Sequence, residues 1–241
     1  MITNTETGTN IHEIADGIYR INTPIDFPDG QGFSFNQYLV VDDDPLLFQT
    51  GPRQMFPLVS QAIAAVMLVD RLRYVSFPHV ESDECGALNA FLAAAPRAQP
   101  LCGQVAAMVS INDLADRPAR AMADGERITL GRHTLQWLDT PHVPHGWECG
   151  LMMDVSTSTF FCGDLFTQGG AGAAALTESD ILGPSEAFRK PLDYFAHAPQ
   201  TREVLQSLAK HEPMTMAVMH GSAWRGNGAQ LLRALRDALS A

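Results

Sequence analysis

No uncharged apolar run in the 241 residues approaches the roughly 18 that a membrane-crossing helix needs, so no bilayer span is expected. The first ten residues, Met1 to Asn10, are polar and rich in Thr and Asn. They lack both the basic and the apolar stretch of an export signal. Cysteine is scarce: Cys85, Cys102, Cys149 and Cys162 stand far apart, never as Cys-x-x-Cys. That spacing excludes a disulfide framework and a thiolate zinc knuckle, and it fits a reducing, cytoplasmic compartment. Basic residues are few as well. Sixteen Lys and Arg face 27 Asp and Glu, a formal net charge of −11 with no basic stripe to reverse it locally. Such a surface repels a phosphate backbone, so nucleic acid is excluded as a partner. A Gly-rich phosphate-binding fingerprint and a solenoid-type repeat are both missing.

What is present reads as one α/β domain over residues 11–241, after a flexible lead-in over residues 1–10. Loose alternation from Ile11 to Ile21 around Ala15-Asp16-Gly17 predicts a hairpin. Phe35 to Val41 and Leu46 to Thr50 predict two strands around Asp42-Asp43-Asp44-Pro45, three aspartates best read as a solvated turn. Helical spacing follows over Met55 to Val66, then a strand over Arg73 to Phe77 and a helix over Gly86 to Ala95. A short strand at Pro100 to Cys102 and a helix at Val105 to Leu114 repeat that order. Strands are predicted at Ile128 to Leu130, Thr134 to Leu138, Leu151 to Val155, Thr159 to Cys162 and Met214 to Met219. Helices are predicted at Pro184 to Phe195, Thr201 to Ala209 and Ala229 to Leu239, with a Gly- and Ala-rich loop over Thr167 to Leu176.

The chemistry sits where the strands end. His79-Val80-Glu81-Ser82-Asp83-Glu84 follows the Arg73 to Phe77 strand, and on an extended backbone His79, Glu81 and Asp83 project to one side. One imidazole beside two carboxylates suits zinc, manganese or non-haem iron. The alternative is a polar turn with Asp83 capping a helix. Asp139-Thr140-Pro141-His142-Val143-Pro144-His145-Gly146 places two histidines in a loop bracketed by prolines, where either could serve as a turn cap instead. Asp164 and His220 each follow a further apolar strand. Open α/β sheets build sites beyond strand ends, which brings these groups to one edge. Phe77, Trp147, Phe166 and Trp224 stand near them as core residues or as an apolar wall. His12, His133, His197 and His211 have no partner pattern and are expected at the surface.

This constellation resembles the metallo-β-lactamase superfamily over nearly the whole chain. The resemblance implies a four-layered αβ/βα sandwich with a two-metal cleft along one edge. Its zinc hydrolases carry His-x-His-x-Asp-His, whereas this chain has Glu81 at the second histidine and Glu84 at the third. His-x-Glu-x-Asp with later His, Asp and His is instead similar to the diiron domain of flavodiiron proteins and to related oxygen-binding diiron proteins. Carried over residue by residue, this implies His79, Glu81 and His142 on one metal, Asp83 and His220 on the other, and Asp164 bridging them. His145 and Glu84 are then the candidates for roles beside the metals. The implied cofactor is a pair of oxo- or hydroxo-bridged irons, with two zincs as the alternative. The implied substrate is O2 or NO, with electrons from a separate donor protein or small reductant, in a head-to-tail homodimer. A dinuclear zinc hydrolase of esters, thioesters, lactones or phosphodiesters is the second expectation, and an O2-binding sensor the third.

Overall fold

The computed structural model describes residues 1–27 and 32–239, so the last two residues of the expected domain lie outside it. Strands β1 (Asn10–Ala15), β2 (Ile18–Asp26), β3 (Gly32–Val40) and β4 (Leu46–Phe48) lead into α1 (Phe56–Ala64) and β5 (Tyr74–Ser76). After α2 (Ser82–Cys85) and α3 (Leu88–Ala94) come β6 (Gln99–Gly103), α4 (Gln104–Ala106), α5 (Asn112–Leu114) and β7 (Arg120–Met122). The second half runs β8 (Arg127–Thr129), β9 (Thr134–Asp139), β10 (Gly150–Asp154), β11 (Thr159–Gly163) and β12 (Leu176–Thr177). It ends with α6 (Leu182–Leu192), α7 (Thr201–Leu208), β13 (Thr215–Val218), β14 (Ala223–Arg225) and α8 (Gly228–Ala238).

Seven strands pair in the order β1 to β7 to make the first sheet, and the second runs β12-β14-β13-β11-β10-β9-β8. Strand alternation sorts the apolar side chains into layers. On β3 and β4, Leu39 and Leu47 face outward and meet Val59 and Ile63 of α1 and Phe91 and Leu92 of α3. Their neighbours Tyr38, Val40, Leu46 and Phe48 face inward and meet Leu135, Trp137, Met152 and Phe161 of the second sheet. On that sheet Leu151, Met153, Phe160 and Cys162 face the other way, against Leu205 and Leu208 of α7 and Leu232 and Leu235 of α8. The result is helix, sheet, sheet, helix: the four-layered αβ/βα sandwich as a single domain. Among the described residues no helix is long and apolar enough to cross a membrane.

Where the structure differs from the sequence reading, packing explains it. The helix expected at Val105 to Leu114 is broken by a π-helical stretch, Ala107–Ile111, which keeps Ala107 and Ile111 on the core. Strands β7, β12 and β14 are two or three residues long, too short to show alternation. Ile2 bridges to Asn10, the Met1 ammonium donates to the Ile11 carbonyl at 2.9 Å, and Asn4 donates to Gln61 at 3.1 Å, so the first residues lie hydrogen-bonded along the sheet edge. His133, expected at the surface, is buried at 2 % exposure. Its ring bonds Asp154 at 2.7 Å and its N–H donates to Asp42 at 2.7 Å, tying three turns together at the end of the sandwich.

Candidate metal centre

Strands β4 and β5 run parallel in the first sheet, and β11 and β13 in the second, so their carboxyl ends open toward one edge. The segment after β5 carries His79, Glu81 and Asp83. The segment after β9 carries His145, and those after β11 and β13 carry Asp164 and His220. The Asp164 carboxylate lies at the centre. Its Oδ2 is 3.3 Å from His145 Nε2 and 3.6 Å from His79 Nε2, while its Oδ1 is 3.3 Å from His220 Nε2. Glu81 Oε2 approaches His79 at 3.0 Å and His145 at 3.2 Å, and Asp83 Oδ2 approaches His220 at 3.5 Å. Ligand atoms of His79, Glu81, His145 and Asp164 all fall within 4.8 Å of one another.

Local backbone explains this split into two groups. Glu81 is extended and serves as the N-cap residue of α2, which starts at Ser82, so Asp83 is not the cap. His79 and Glu81 therefore share one side, and the helical turn swings Asp83 toward His220. An extended run through residue 83 would have put all three on one metal.

The expectation that His142 joins the set is corrected by the structure. His142 is exposed, at φ 63°, and its N–H donates to the Gly146 carbonyl, so the turn directs its side chain away from the cluster. The chain then returns through His145, whose ring packs edge-on to His79 with centroids 4.6 Å apart. His145 occupies the place expected of His142. Glu84, the other candidate for a role beside the metals, is fully buried and accepts a 2.6 Å hydrogen bond from Gln49. Burial, then the charges of Asp164 and Asp83, push its carboxyl well above the usual range. Its carbonyl accepts from Thr50 N at 2.8 Å, locking α2 to the end of β4.

Charge pairing dominates the titration of the cluster. Burial alone would lower His145, but hydrogen bonds to Asp164 and Glu81 raise it to about 10. His220 is likewise raised to about 9 by Asp164 and Asp83 against burial. Glu81 is lowered to about 2, mainly by His145 and then by His79. Asp164 is held well below the carboxylate range by His145 and His220 despite its burial.

The donor set fits a metal. The Nδ1–H of His145 donates to the Tyr194 carbonyl at 3.1 Å and that of His220 to the Ser34 carbonyl at 2.9 Å. Each bond leaves Nε2 as the inward-facing donor, the usual orientation of a ligating histidine. His79 Nε2 and His145 Nε2 are 3.0 Å apart, a contact that needs a proton between them when no metal is bound and that a metal ion would replace by taking both lone pairs. Three imidazoles and three carboxylates suit iron, manganese or zinc and disfavour copper(I).

The sequence reading missed the surroundings. A cleft of about 190 Å³ opens over Asp83, Asp164 and His220 and is walled by Phe33, Thr167, Phe188, Leu192 and Tyr194. Phe33 lies 4.3 Å from the His220 ring and stacks on Phe188 at 5.4 Å. Of the aromatics expected nearby, Phe77 and Phe166 are core residues and Trp147 is 56 % exposed. Phe188 and Leu192 stand four apart on the predicted helix, but that spacing alone does not show which face meets the cleft.

Known proteins resemble this chain in sequence and in fold. Rubredoxin-oxygen oxidoreductase of Megalodesulfovibrio gigas is 26 % identical over 204 residues, covering 81 % of this chain and 50 % of the relative. An anaerobic nitric oxide reductase flavorubredoxin of Pectobacterium atrosepticum is 25 % identical, covering 84 % of this chain and 41 % of the relative. The chain thus spans about half or less of the length of these relatives. The solved rubredoxin oxygen:oxidoreductase from Desulfovibrio gigas superposes with a TM-score of 0.80 at 23 % identity over 94 % of this chain and 60 % of that one. The flavodiiron protein of Giardia intestinalis gives 0.81 at 19 % identity, over 96 % of this chain and 59 % of that one. Both likenesses show the same metallo-β-lactamase-like core. A family model described as ODP family beta lactamase matches residues 33–221, from β3 through the cluster to the loop that holds His220, and the chain belongs to that family.

Proposed function

We propose that the chain is a non-haem diiron protein that reduces O2, or NO, with electrons from a separate donor. The observation that carries this reading is Glu81. It puts a third carboxylate into a cluster of three imidazoles, with its Oε2 3.0 Å from His79 Nε2 and 3.2 Å from His145 Nε2. The added negative charge favours a redox metal in its higher oxidation state, whereas a histidine-rich set leaves more positive charge to acidify a water for hydrolysis. The names of the relatives, an oxygen oxidoreductase and nitric oxide reductases, support the same chemistry.

In this reading His79, Glu81 and His145 would hold one iron, Asp83 and His220 would hold the other, and Asp164 would serve both. The iron pair supplies two electrons when bound in its reduced form. The chain's own residues do the rest. The Tyr194 and Ser34 carbonyls fix the imidazole orientations, and the Tyr194 hydroxyl donates to the Asp164 carbonyl at 3.1 Å, holding the central carboxylate in place. Phe33, Phe188 and Leu192 present an apolar wall to a small gas molecule. Complete reduction of O2 to two waters takes four electrons and four protons, two more electrons than a reduced iron pair would hold, so in sustained turnover all four come from the donor, while joining two NO into N2O and water takes two electrons and two protons. The head-to-tail homodimer belongs to the same proposal, and analytical ultracentrifugation checks it.

The test is O2 consumption by anaerobically reduced, iron-loaded protein with and without an added flavin reductase or rubredoxin-type donor. We expect one brief uptake without donor and sustained uptake with it. Reduced protein that leaves O2 and NO untouched, while the native form hydrolyses esters or phosphodiesters, replaces this reading with the zinc hydrolase.

A further inference from the structure

The loop that carries His220 belongs to the second sheet but is held from behind by the first. Antiparallel register sets Arg20 of β2 opposite Tyr38 of β3, and Asn22 opposite Asn36. All four side chains face the second sheet and all four are buried. Tyr38 donates to the Val218 carbonyl at 2.6 Å, and Asn36 Nδ2 reaches the Val218 and Gly221 carbonyls at 2.8 and 2.9 Å. Asn22 steadies Asn36 at 2.8 Å, and Arg20 Nη2 donates to the Gly221 carbonyl at 2.7 Å.

Arg20 is unlike the other three. Its side chain has no solvent exposure, its Nε and Nη1 meet no acceptor beyond the neutral Tyr38 hydroxyl, and among the described residues no carboxylate pairs with it. Burial lowers its pKa only to about 10, so it stays a cation at neutral pH. A neutral amide or hydroxyl is enough to bind a carbonyl, as Asn36 and Tyr38 show. Burying an unpaired charge for that task alone is costly, so the charge points to a role of its own.

We propose that Arg20 is a positioning residue whose uncompensated charge, set behind the His220 loop, raises the reduction potential of the metal centre. This rests on the diiron reading above. A nearby cation disfavours the more positive, oxidised centre, and in a buried, low-dielectric setting that influence reaches much further than in water. The three carboxylates pull the potential down and Arg20, bonded to the carbonyl of the residue next to His220, opposes them, keeping the centre reducible by a modest donor.

The test is a redox titration of the iron-loaded protein, followed by its visible absorption. Arg20→Gln keeps a donor for the Gly221 carbonyl and removes the charge. It should lower the midpoint potential, reducing the reduced-to-oxidised ratio at a fixed potential on the order of tenfold. Arg20→Lys should stay near wild type, and so should Tyr38→Phe, which removes a clamp hydrogen bond without altering charge. Asn22→Asp places a carboxylate beside Arg20 and should lower the potential with Arg20 in place, which carries the test if Arg20→Gln does not fold. An unchanged potential in the charge-altering variants, or an equal drop in Tyr38→Phe, overturns the assignment. A wild-type protein that takes up no iron overturns the diiron reading and this inference with it.

Discussion

Asp164 differs from every other group in the cluster because its two oxygens face different histidines, Oδ2 toward His79 and His145 and Oδ1 toward His220. Asp164→Ala should therefore lower bound metal from two per chain to well below one by elemental analysis, whereas loss of one metal would mark it as terminal. The two loop histidines separate just as cleanly. His145→Ala should lose metal while His142→Ala keeps it, since only His145 reaches Glu81 and Asp164. Far from the cluster, His133 offers a pH test. Its bond to Asp154 raises its pKa above 6.5, and despite burial the bonds from His133 and Thr157 lower that of Asp154. The stability from His133 is thus complete below about pH 6.5 and lost as pH rises through its folded value. The Asp154 contribution is present above its ordinary value and lost as pH falls through the lower folded one. The urea midpoint of wild type minus that of His133→Gln should shrink from about pH 6 to about pH 9, and a difference that stays constant or grows would contradict this.

Secondary elements were legible where alternation or helical spacing ran for five residues or more, except over Val105 to Leu114, where a π-helical stretch interrupts the expected helix. The hairpin at Ile11 to Ile21, the strands around Asp42 to Pro45, and the helices α1, α7 and α8 all stand where their patterns put them. What the sequence hid was settled by contacts distant along the chain. The turn at His142 decides which histidine faces inward, and the start of α2 at Ser82 decides where Asp83 points. His133 looked solvent-exposed because its partner, Asp154, lies 21 residues away. Close packing of elements is testable at Gly150 on β10. A Cβ there would lie inside van der Waals contact with the Trp137 ring of β9. Gly150→Ala should cost about 1 to 3 kcal/mol in urea unfolding as Trp137 is forced out of its seat, and a neutral result would show that the ring has room to move. Asn227 caps α8 by accepting from Gln230 N at 2.9 Å, so Asn227→Ala should cost about 1 kcal/mol.

On the scale of the molecule, the sandwich supplies the cluster by stacking two sheets whose parallel strands end at the same edge. Neither sheet carries the whole donor set: His79, Glu81 and Asp83 leave the first, and His145, Asp164 and His220 leave the second. Metal binding should therefore tie the halves together, and metal-loaded protein should unfold at higher temperature than protein stripped with chelator, by an amount that grows with free metal concentration. The proposed centre is an iron pair on these six side chains. Diffraction from iron-loaded crystals, recorded at the iron and zinc absorption edges, tests it most directly. Two iron peaks are expected, one against His79, Glu81, His145 and Asp164 and one against Asp83, His220 and Asp164. Zinc at both positions, or iron bound through His142 with His145 turned away, would contradict it.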